Sequence, residues 1–317
     1  MSTFSNEKKK MSACYQAMHD PAWTVGIHAM GQKGDIADIF AHFHDDVFLE
    51  SVKAWQKKNG LIDDGIFGRK CLEFKGYDVM NRIPTVSLYT TAIRVCGEFI
   101  DVGFKIMHDR DMQFGTHPST FNVRQGEPKM VVWHWDVCIS SVGCFQTLLE
   151  RNLSIHFMID ADGTIYQTLD LGLQADHTKG FDSQSIGIEI NNPYWVKKAD
   201  KLEIKRPLVE EYLPNNNGVQ EHLGFTAEQE KSAVLLASAL SDILDIPKVL
   251  PAGQHPSMRD QSGVSTRAHI KSGHMFNGHV GHYHLQPDKM DPGTLLWPAF
   301  LRSGFKAVEP SFKVEAE

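Results

Sequence analysis

The sequence has no long hydrophobic run and no excess of positive charge. No stretch of about 18 apolar residues occurs in the chain, so no segment is expected to insert into a membrane. The 32 lysines and arginines are outnumbered by 39 aspartates and glutamates, which leaves a net charge of -7. A general nucleic-acid-binding protein usually carries a basic excess, so this class of protein is excluded.

Cysteine is scarce and histidine is abundant. The five cysteines contain no C-x-x-C pair, and no apolar stretch follows the basic N-terminal cluster at residues 8–10, so we predict no secretory signal and reduced, mostly buried thiols. No H-E-x-x-H motif is present. The unusual part of the composition is 16 histidines, six of which fall in one late segment: His255, His269, His274, His279, His282 and His284.

The length of 317 residues allows one domain of ordinary size and a smaller accessory domain. We predict a polar tail at 1–20, a small helical domain at 21–78, a connecting region at 79–127, the main domain at 128–305 and a C-terminal tail at 306–317. The connecting region is ambiguous, because its VSLYTTAIRV stretch suits either a strand or a helix. We expect the protein to be a monomer.

The accessory domain begins with a clear helical pattern. FLESVKAWQKKN has apolar residues at helical spacing and ends at Gly60, a frequent C-terminal stop. With the following GLIDDGIFGRK, it resembles the peptidoglycan-binding domain of many cell-wall hydrolases. The sequence departs from that domain at Arg69, where proline is usual, and at Cys71, where threonine is usual.

The main domain shows strands first and a long helix later. MVVWHW and SIGIEI are predicted strands, and HFMID and TIYQTLD form a predicted hairpin around the Asp162-Gly163 turn. FTAEQEKSAVLLASALSDILDIP is a predicted helix with Thr226 and Gln229 as a capping box. This order favours an α/β fold, with a central mixed β-sheet flanked by helices.

Three places in the main domain carry candidate chemistry. His134 stands between two tryptophans in VVWHWD, where a hydrogen-bonded core histidine remains the alternative interpretation. GHYHLQPDKMDPG combines imidazoles with Lys289 and Asp291, and its alternative is a solvated polar loop. Glu189 lies in an otherwise apolar strand, where a carboxylate needs a partner or a function. Two imidazoles and one carboxylate would suit a catalytic zinc, a second carboxylate could accept a proton from water, and a lysine could stabilise an oxyanion.

The ordered motifs VVWHW, SIHFMIDADGTIYQ, ADHTKG, SIGIEINNP and GHYHLQPDKMDPG resemble those of N-acetylmuramoyl-L-alanine amidases of the amidase-2 family. That family includes phage endolysins and is related to the peptidoglycan recognition proteins. The resemblance covers roughly residues 128–300 and implies a zinc amidase fold with Zn²⁺ in a surface groove. It implies hydrolysis of the amide bond between N-acetylmuramic acid and L-alanine, with peptidoglycan as the partner.

The family's functional positions fall on six residues of this sequence. The resemblance implies that the zinc ligands are His134, His282 and Asp291, that the catalytic residues are Glu189 and Lys289, and that His177 contacts the substrate. The interval from His282 to Asp291 is nine residues, and relatives often have one more. His279 and His284 therefore remain competitors for the second ligand position.

Other choices stay open at this level. The alternatives to a lytic amidase are a non-catalytic peptidoglycan recognition protein and a zinc peptidase that cuts within the stem peptide. A wall-binding-like domain without a signal peptide favours a phage endolysin that is made in the cytoplasm and acts on the wall after release or non-Sec export.

The charged insertion at 195–224 is a lid over the substrate cleft or a solvated excursion. Asp136 and Ser140 are candidate partners of a ligand histidine, and His156 is expected to be structural or to line the groove.

Overall fold

A computed structural model describes residues 57–58, 60, 88–95, 98–114, 121–124, 126–215, 217–253, 263–268, 270–271 and 276–310. The predicted N-terminal tail, and all but three residues of the predicted helical domain, lie outside this part of the chain. His255, His269 and His274 lie outside it as well. Of the five cysteines only Cys138 and Cys144 are described, and both are free thiols.

Thirteen strands and three α-helices follow one another in the described residues. The strands, in chain order, are β1 (Leu88–Val95), β2 (Glu98–His108), β3 (Phe121–Val123), β4 (Met130–Trp135), β5 (Phe157–Ile159), β6 (Ile165–Gln167), β7 (Leu173–Ala175), β8 (Ser185–Ile190), β9 (Leu208–Leu213), β10 (Gly218–Leu223), β11 (Val249–Pro251), β12 (Gly278–Gly281) and β13 (Lys306–Val308). The helices are α1 (Ser141–Glu150), α2 (Ala227–Leu244) and α3 (Trp297–Arg302). Short 3-10 turns occupy Arg110–Met112, Asp182–Gln184, Val196–Lys201 and His282–His284.

Seven strands form the central sheet, in the order β1-β2-β6-β5-β8-β4-β12. The pairs β5-β8, β8-β4 and β4-β12 are parallel, and β1-β2 and β5-β6 are antiparallel, so the sheet is mixed. With α2 and α3 packed against it, the predicted α/β fold is confirmed. The short pairs β3-β7, β9-β10 and β11-β13 lie outside this sheet.

The segment that the sequence left ambiguous supplies one edge of the sheet. β1 pairs with both ends of β2, with an irregularity between Thr90 and Ala92, and β2 joins β6 through Met107 and Tyr166. Ile93, Val95 and Ile106 are buried in the same core as the central strands. The sheet of the main domain therefore begins at Leu88, within the region predicted to be a connection.

The two faces of the sheet carry different side chains. On β4, Val131, Trp133 and Trp135 belong to the large apolar core that α2 and α3 cover. The alternate residues of the same strand, including His134, point to the opposite face, because successive side chains of a strand alternate. This alternation separates the main core from the face that carries the candidate site.

The predicted long helix and hairpin of the main domain are confirmed. Thr226 is the N-cap of α2 and forms the capping box with Gln229. The predicted apolar stripe of this helix is buried throughout: Ala233, Leu236, Ala237, Leu240, Ile243 and Leu244. β5 and β6 pair antiparallel, joined by a turn in which Gly163 has a positive φ of 82° and lies against the Glu228 backbone. None of the described helices is both long and apolar enough to cross a membrane.

Candidate metal centre

His134 and Glu189 lie side by side on adjacent parallel strands. The register of β4 and β8 pairs them directly, so both side chains point to the same face of the sheet. Neighbouring strands are about 4.8 Å apart, which places the imidazole and the carboxylate at the short distance that cooperation between them requires. Their relative position is therefore set by the sheet rather than by a loop.

His282 and Asp291 come from the chain that follows β12, and we call residues 282–294 the ligand loop. β12 pairs with β4, and this pairing brings the start of the ligand loop to His134. The Nδ1 atoms of His134 and His282 are 3.0 Å apart, and Asp291 Oδ2 lies 3.2 Å from the first and 3.0 Å from the second. Among the described residues this set has the residue types and spacing that could hold a metal ion.

The proton positions around His134 follow from its outer neighbours. Ser185 Oγ donates to the Phe181 carbonyl oxygen at 2.8 Å, so it accepts from His177 Nε2 at 3.1 Å. A neutral His177 then has an unprotonated Nδ1, which accepts from His134 Nε2 at 3.0 Å. With its proton on Nε2, His134 presents the lone pair of Nδ1 to His282 and Asp291.

His282 is oriented in the same manner. Its Nε2 donates to Gln286 Oε1 at 3.1 Å, so a neutral ring presents the lone pair of Nδ1 to His134 and Asp291.

Burial, and then the proximity of His282, lower the pKa of His134 to about 4, which keeps the His134 ring neutral near pH 7. Three acceptor atoms then converge, and a proton or a cation between them is needed to offset their repulsion. Two imidazole nitrogens and one carboxylate oxygen are a donor set that suits zinc.

The carboxylate of Asp291 remains ionised in these surroundings. Burial alone would raise the pKa of Asp291, but the neighbouring His282 and His134 outweigh it and hold that pKa below its usual range. An ionised carboxylate is the form that binds a metal ion.

Glu189 has a carboxyl oxygen that is buried without a hydrogen bond to the described part of the chain. Its Oε2 is buried and has no hydrogen-bond partner among the described residues. Burial raises the pKa of Glu189 well above its ordinary value, and the nearby carboxylates of Asp136 and Asp291 raise it further. A buried carboxyl with a raised pKa next to a candidate metal site has the properties of a proton-transfer group.

Asp136 and Ser140 do not take the places predicted for them beside a ligand histidine. Asp136 accepts from Asn191 Nδ2 at 3.0 Å and from the backbone N–H of Cys138 at 2.9 Å, and burial raises its pKa to about 8. Ser140 is the N-cap of α1 and accepts from the Gly143 N–H. The hydrogen-bond partners of His134 Nε2 are instead His177 Nδ1 and Thr178 Oγ1.

The remaining predicted residues lie near the same face. Lys289 is half-buried on the ligand loop, and its positive charge is among the causes that lower the pKa of His134. His177 is half-buried and bonded to His134, so the structure places it behind a candidate ligand. His156 is buried, and its ring contacts the Gly187 N–H, the Leu173 carbonyl and the Arg124 guanidinium. These contacts are those of a structural histidine.

The two competing histidines point away from the candidate centre. His279 lies on β12 beside Val131 and therefore on the core face, where its ring contacts Ser241 and Phe305. His284 accepts from the Gly281 N–H through Nδ1 and contacts the Ser265 carbonyl oxygen through Nε2. Both rings are fully buried with both nitrogens engaged, so among the three described histidines of this cluster His282 is the one available to a metal.

His279 makes the protein sensitive to acid. Its Nδ1 accepts from Trp133 Nε1 at 3.2 Å, and burial, with a smaller contribution from Lys248, lowers its pKa to about 3. The unfolded chain binds this proton below about pH 6.5 while the folded chain does not. The free energy of unfolding should therefore fall as pH decreases from about 6.5 towards 3, by about 1.4 kcal/mol per pH unit from this group.

Urea unfolding of the wild type and of His279→Gln between pH 7 and pH 4 measures that contribution. The variant keeps a donor for Ser241 but has no group that titrates in this range. We expect it to be less stable at pH 7 and to lose less stability on acidification. Equal slopes for the two proteins would contradict the assignment.

Three neighbours of the site were not identified from the sequence. Thr178, Ser185 and Gln286 fix the outer nitrogens of the histidines through contacts that close only in the fold. Ser185 alone left a trace, as the first polar position of an otherwise apolar strand. Short polar side chains of this kind are too common for sequence position to single them out.

Comparison with known proteins assigns the chain to a family. Residues 124–294, more than half of the chain, match the Amidase_2 family, described as N-acetylmuramoyl-L-alanine amidase. No curated protein sequence matches the chain significantly.

Among solved structures, a selenomethionine derivative of AmpD is 16% identical, with 58% of this chain and 89% of that chain covered and a TM-score of 0.35. The Ph2119 endolysin of Thermus scotoductus MAT2119 bacteriophage Ph2119 is 16% identical, with 58% and 89% covered and a TM-score of 0.33. The Drosophila peptidoglycan recognition protein SA is 14% identical, with 60% and 87% covered and a TM-score of 0.34. Because these likenesses are distant, the assignment depends on the family match: the chain belongs to the amidase-2 family of N-acetylmuramoyl-L-alanine amidases.

Proposed function

We propose that this protein is a zinc-dependent amidase that cuts the bond between N-acetylmuramic acid and L-alanine in peptidoglycan. The observation that carries the proposal is the convergence of His134, His282 and Asp291 within 3.2 Å of one another, on the face that also holds Glu189. A binding module needs no such set of ligands, and it needs no buried carboxyl beside them.

Each residue of the site has a proposed role. His134, His282 and Asp291 would hold the zinc, which supplies Lewis acidity and lowers the pKa of water to about 7. Glu189 would accept the proton of the attacking water and later deliver it to the departing amine. Lys289 would stabilise the negative charge that develops on the attacked carbonyl oxygen. His177 would orient His134 and border the substrate.

The biological setting is part of the same proposal. Family membership supports peptidoglycan as the partner, and the sequence of residues 21–78 resembles a wall-binding domain. An amidase joined to such a domain is suited to cell-wall lysis, so we propose an endolysin-type lytic enzyme that acts as a monomer.

Digestion of purified peptidoglycan with the full-length protein, followed by mass spectrometry, tests the reaction. We expect intact stem peptides that begin with a free L-alanine amine, together with glycan chains that retain the lactyl group. Chelation should abolish this release, and added zinc should restore it. New amines within the stem peptide would indicate a peptidase, and binding to the wall without any release would indicate a recognition protein.

A further inference from the structure

The insertion at 195–224 contains the β9–β10 hairpin, and the tip of this hairpin binds the ligand loop. Asn215 Nδ2 lies 3.0 Å from the Tyr283 carbonyl oxygen, 3.0 Å from that of Gln286 and 2.7 Å from that of Lys289. An amide has two N–H donors, so three carbonyls of the loop share them. All three carbonyls lie between His282 and Asp291.

Asn215 is itself fixed on its other side. Its Oδ1 accepts from the Ala268 N–H at 2.8 Å, and its own N–H donates to the Thr266 carbonyl oxygen at 2.9 Å. Its backbone has a positive φ of 55°, a conformation in which asparagine is enriched among residues other than glycine. The side chain is therefore held rigidly where it contacts the loop.

The middle of β9 binds the far end of the same loop. Glu211 Oε1 accepts from the Thr294 N–H at 2.7 Å and lies against Gly293, where an added Cβ would be only 2.5 Å from it. The other oxygen of this buried carboxylate lies 3.3 Å from His222 Nε2 on β10. The turn that follows Asp291 is thus fixed to the buried contact between Glu211 and His222 within the hairpin.

We propose that Asn215 and Glu211 are positioning residues that hold the ligand loop in its metal-binding shape from both ends. The inference rests on the proposed zinc site, and it assigns the insertion a role other than that of a lid or a solvated excursion. Asn215 fixes the backbone between His282 and Asp291, and Glu211 fixes the turn directly after Asp291. Neither touches the metal or the substrate, so both act through the backbone that carries the ligands.

Substitutions in the full-length chain test this role. Asn215→Gly keeps the left-handed backbone and removes the side chain, and Asn215→Asp replaces the donors by acceptors. The control Asn152→Gly has a similar φ of 54° at an exposed position after α1. Glu211→Ala removes the oxygen that accepts from the Thr294 N–H, and it is matched by Glu221→Ala, which truncates an exposed side chain of the same hairpin.

The readouts are the zinc dissociation constant from chelator competition, the visible spectrum of the cobalt-substituted protein, and kcat and KM on peptidoglycan at limiting and excess zinc. We expect Asn215→Gly and Glu211→Ala to weaken zinc binding about 10- to 100-fold, the range seen for groups that orient metal ligands. The cobalt spectrum should change, excess zinc should restore kcat, and KM should stay constant. The two controls should bind zinc as the wild type does.

The outcomes separate this inference from the proposed function. If the wild type cuts peptidoglycan and the hairpin variants bind zinc as tightly as their controls, the positioning role is overturned and the amidase remains. If the variants lose only thermal stability, the role is likewise overturned. If the wild type binds zinc but cuts nothing, and the variants still weaken zinc binding, the positioning role stands without the amidase. A wild type that binds no zinc overturns both.

Discussion

Replacing His282 by alanine is expected to remove zinc from the protein and to abolish release of stem peptides. The substitution deletes one of three converging donors, and the two that remain do not fill the ligand set of a catalytic zinc. The loss of kcat/KM should be at least the roughly 10²- to 10⁴-fold that a single proton-transfer group contributes, because the Lewis acid is lost with the ligand. Zinc content by atomic emission and product release by mass spectrometry measure the two effects.

The control is the neighbouring histidine that the sequence offered as a competitor. His279→Gln should retain zinc and activity while unfolding at a lower temperature, because His279 is bonded to Trp133 and Ser241 in the core. His282→Ala should show the reverse, with near-normal folding and no metal. A His282→Ala protein that still binds zinc tightly, or a His279→Gln protein that loses it while folded, would refute the ligand assignment.

Replacing Glu189 by glutamine is expected to lower kcat by about 10²- to 10⁴-fold without loss of zinc. Glutamine preserves the shape of the side chain but cannot accept the proton of the attacking water. The same substitution should preserve or raise the free energy of unfolding. Burial and two nearby carboxylates raise the pKa of Glu189, so at pH 7 the ionised form costs the folded state free energy that a neutral amide does not.

Three measurements distinguish this role from a structural one. In the metal-free Glu189→Gln protein, the melting temperature at pH 7 should equal or exceed that of the metal-free wild type. The zinc affinity of Glu189→Gln should remain close to that of the wild type. The control Glu221→Gln, which changes an exposed carboxylate of β10, should be unchanged in activity. A Glu189→Gln protein that turns over at the wild-type rate would exclude Glu189 as the base, and one that melts well below the wild type would indicate a structural role.

Much of the main domain could be predicted because its signals are local. β4, β5 and β8 are dense in β-branched and aromatic residues, and the capping box of α2 lies within four consecutive residues. β1 could not be distinguished from a helix, because LYTTAIRV is polar for half its length. Its strand conformation depends on pairing with β2, and pairing is a property of the fold rather than of the segment.

The candidate site, likewise, could be predicted from the sequence only in part. His134, Glu189 and Asp291 stand in distinctive short motifs, whereas His282 could be separated from His279 and His284 only by the direction of its ring in the fold. The role of the insertion at 195–224 could not be predicted from the sequence, because Asn215 contacts carbonyls that lie 68 to 74 residues away along the chain. A backbone carbonyl carries no residue type, so such contacts leave no pattern in the sequence.

The pairing of His134 with Glu189 across two parallel strands has a consequence for how this protein could be altered. One candidate ligand and the candidate base are fixed to hydrogen-bonded strands of the central sheet, while His282, Lys289 and Asp291 lie on a single loop outside it. Metal preference and reach towards different substrates could therefore be changed by substitutions in one short segment. The geometry of proton transfer would be inherited unchanged from the sheet.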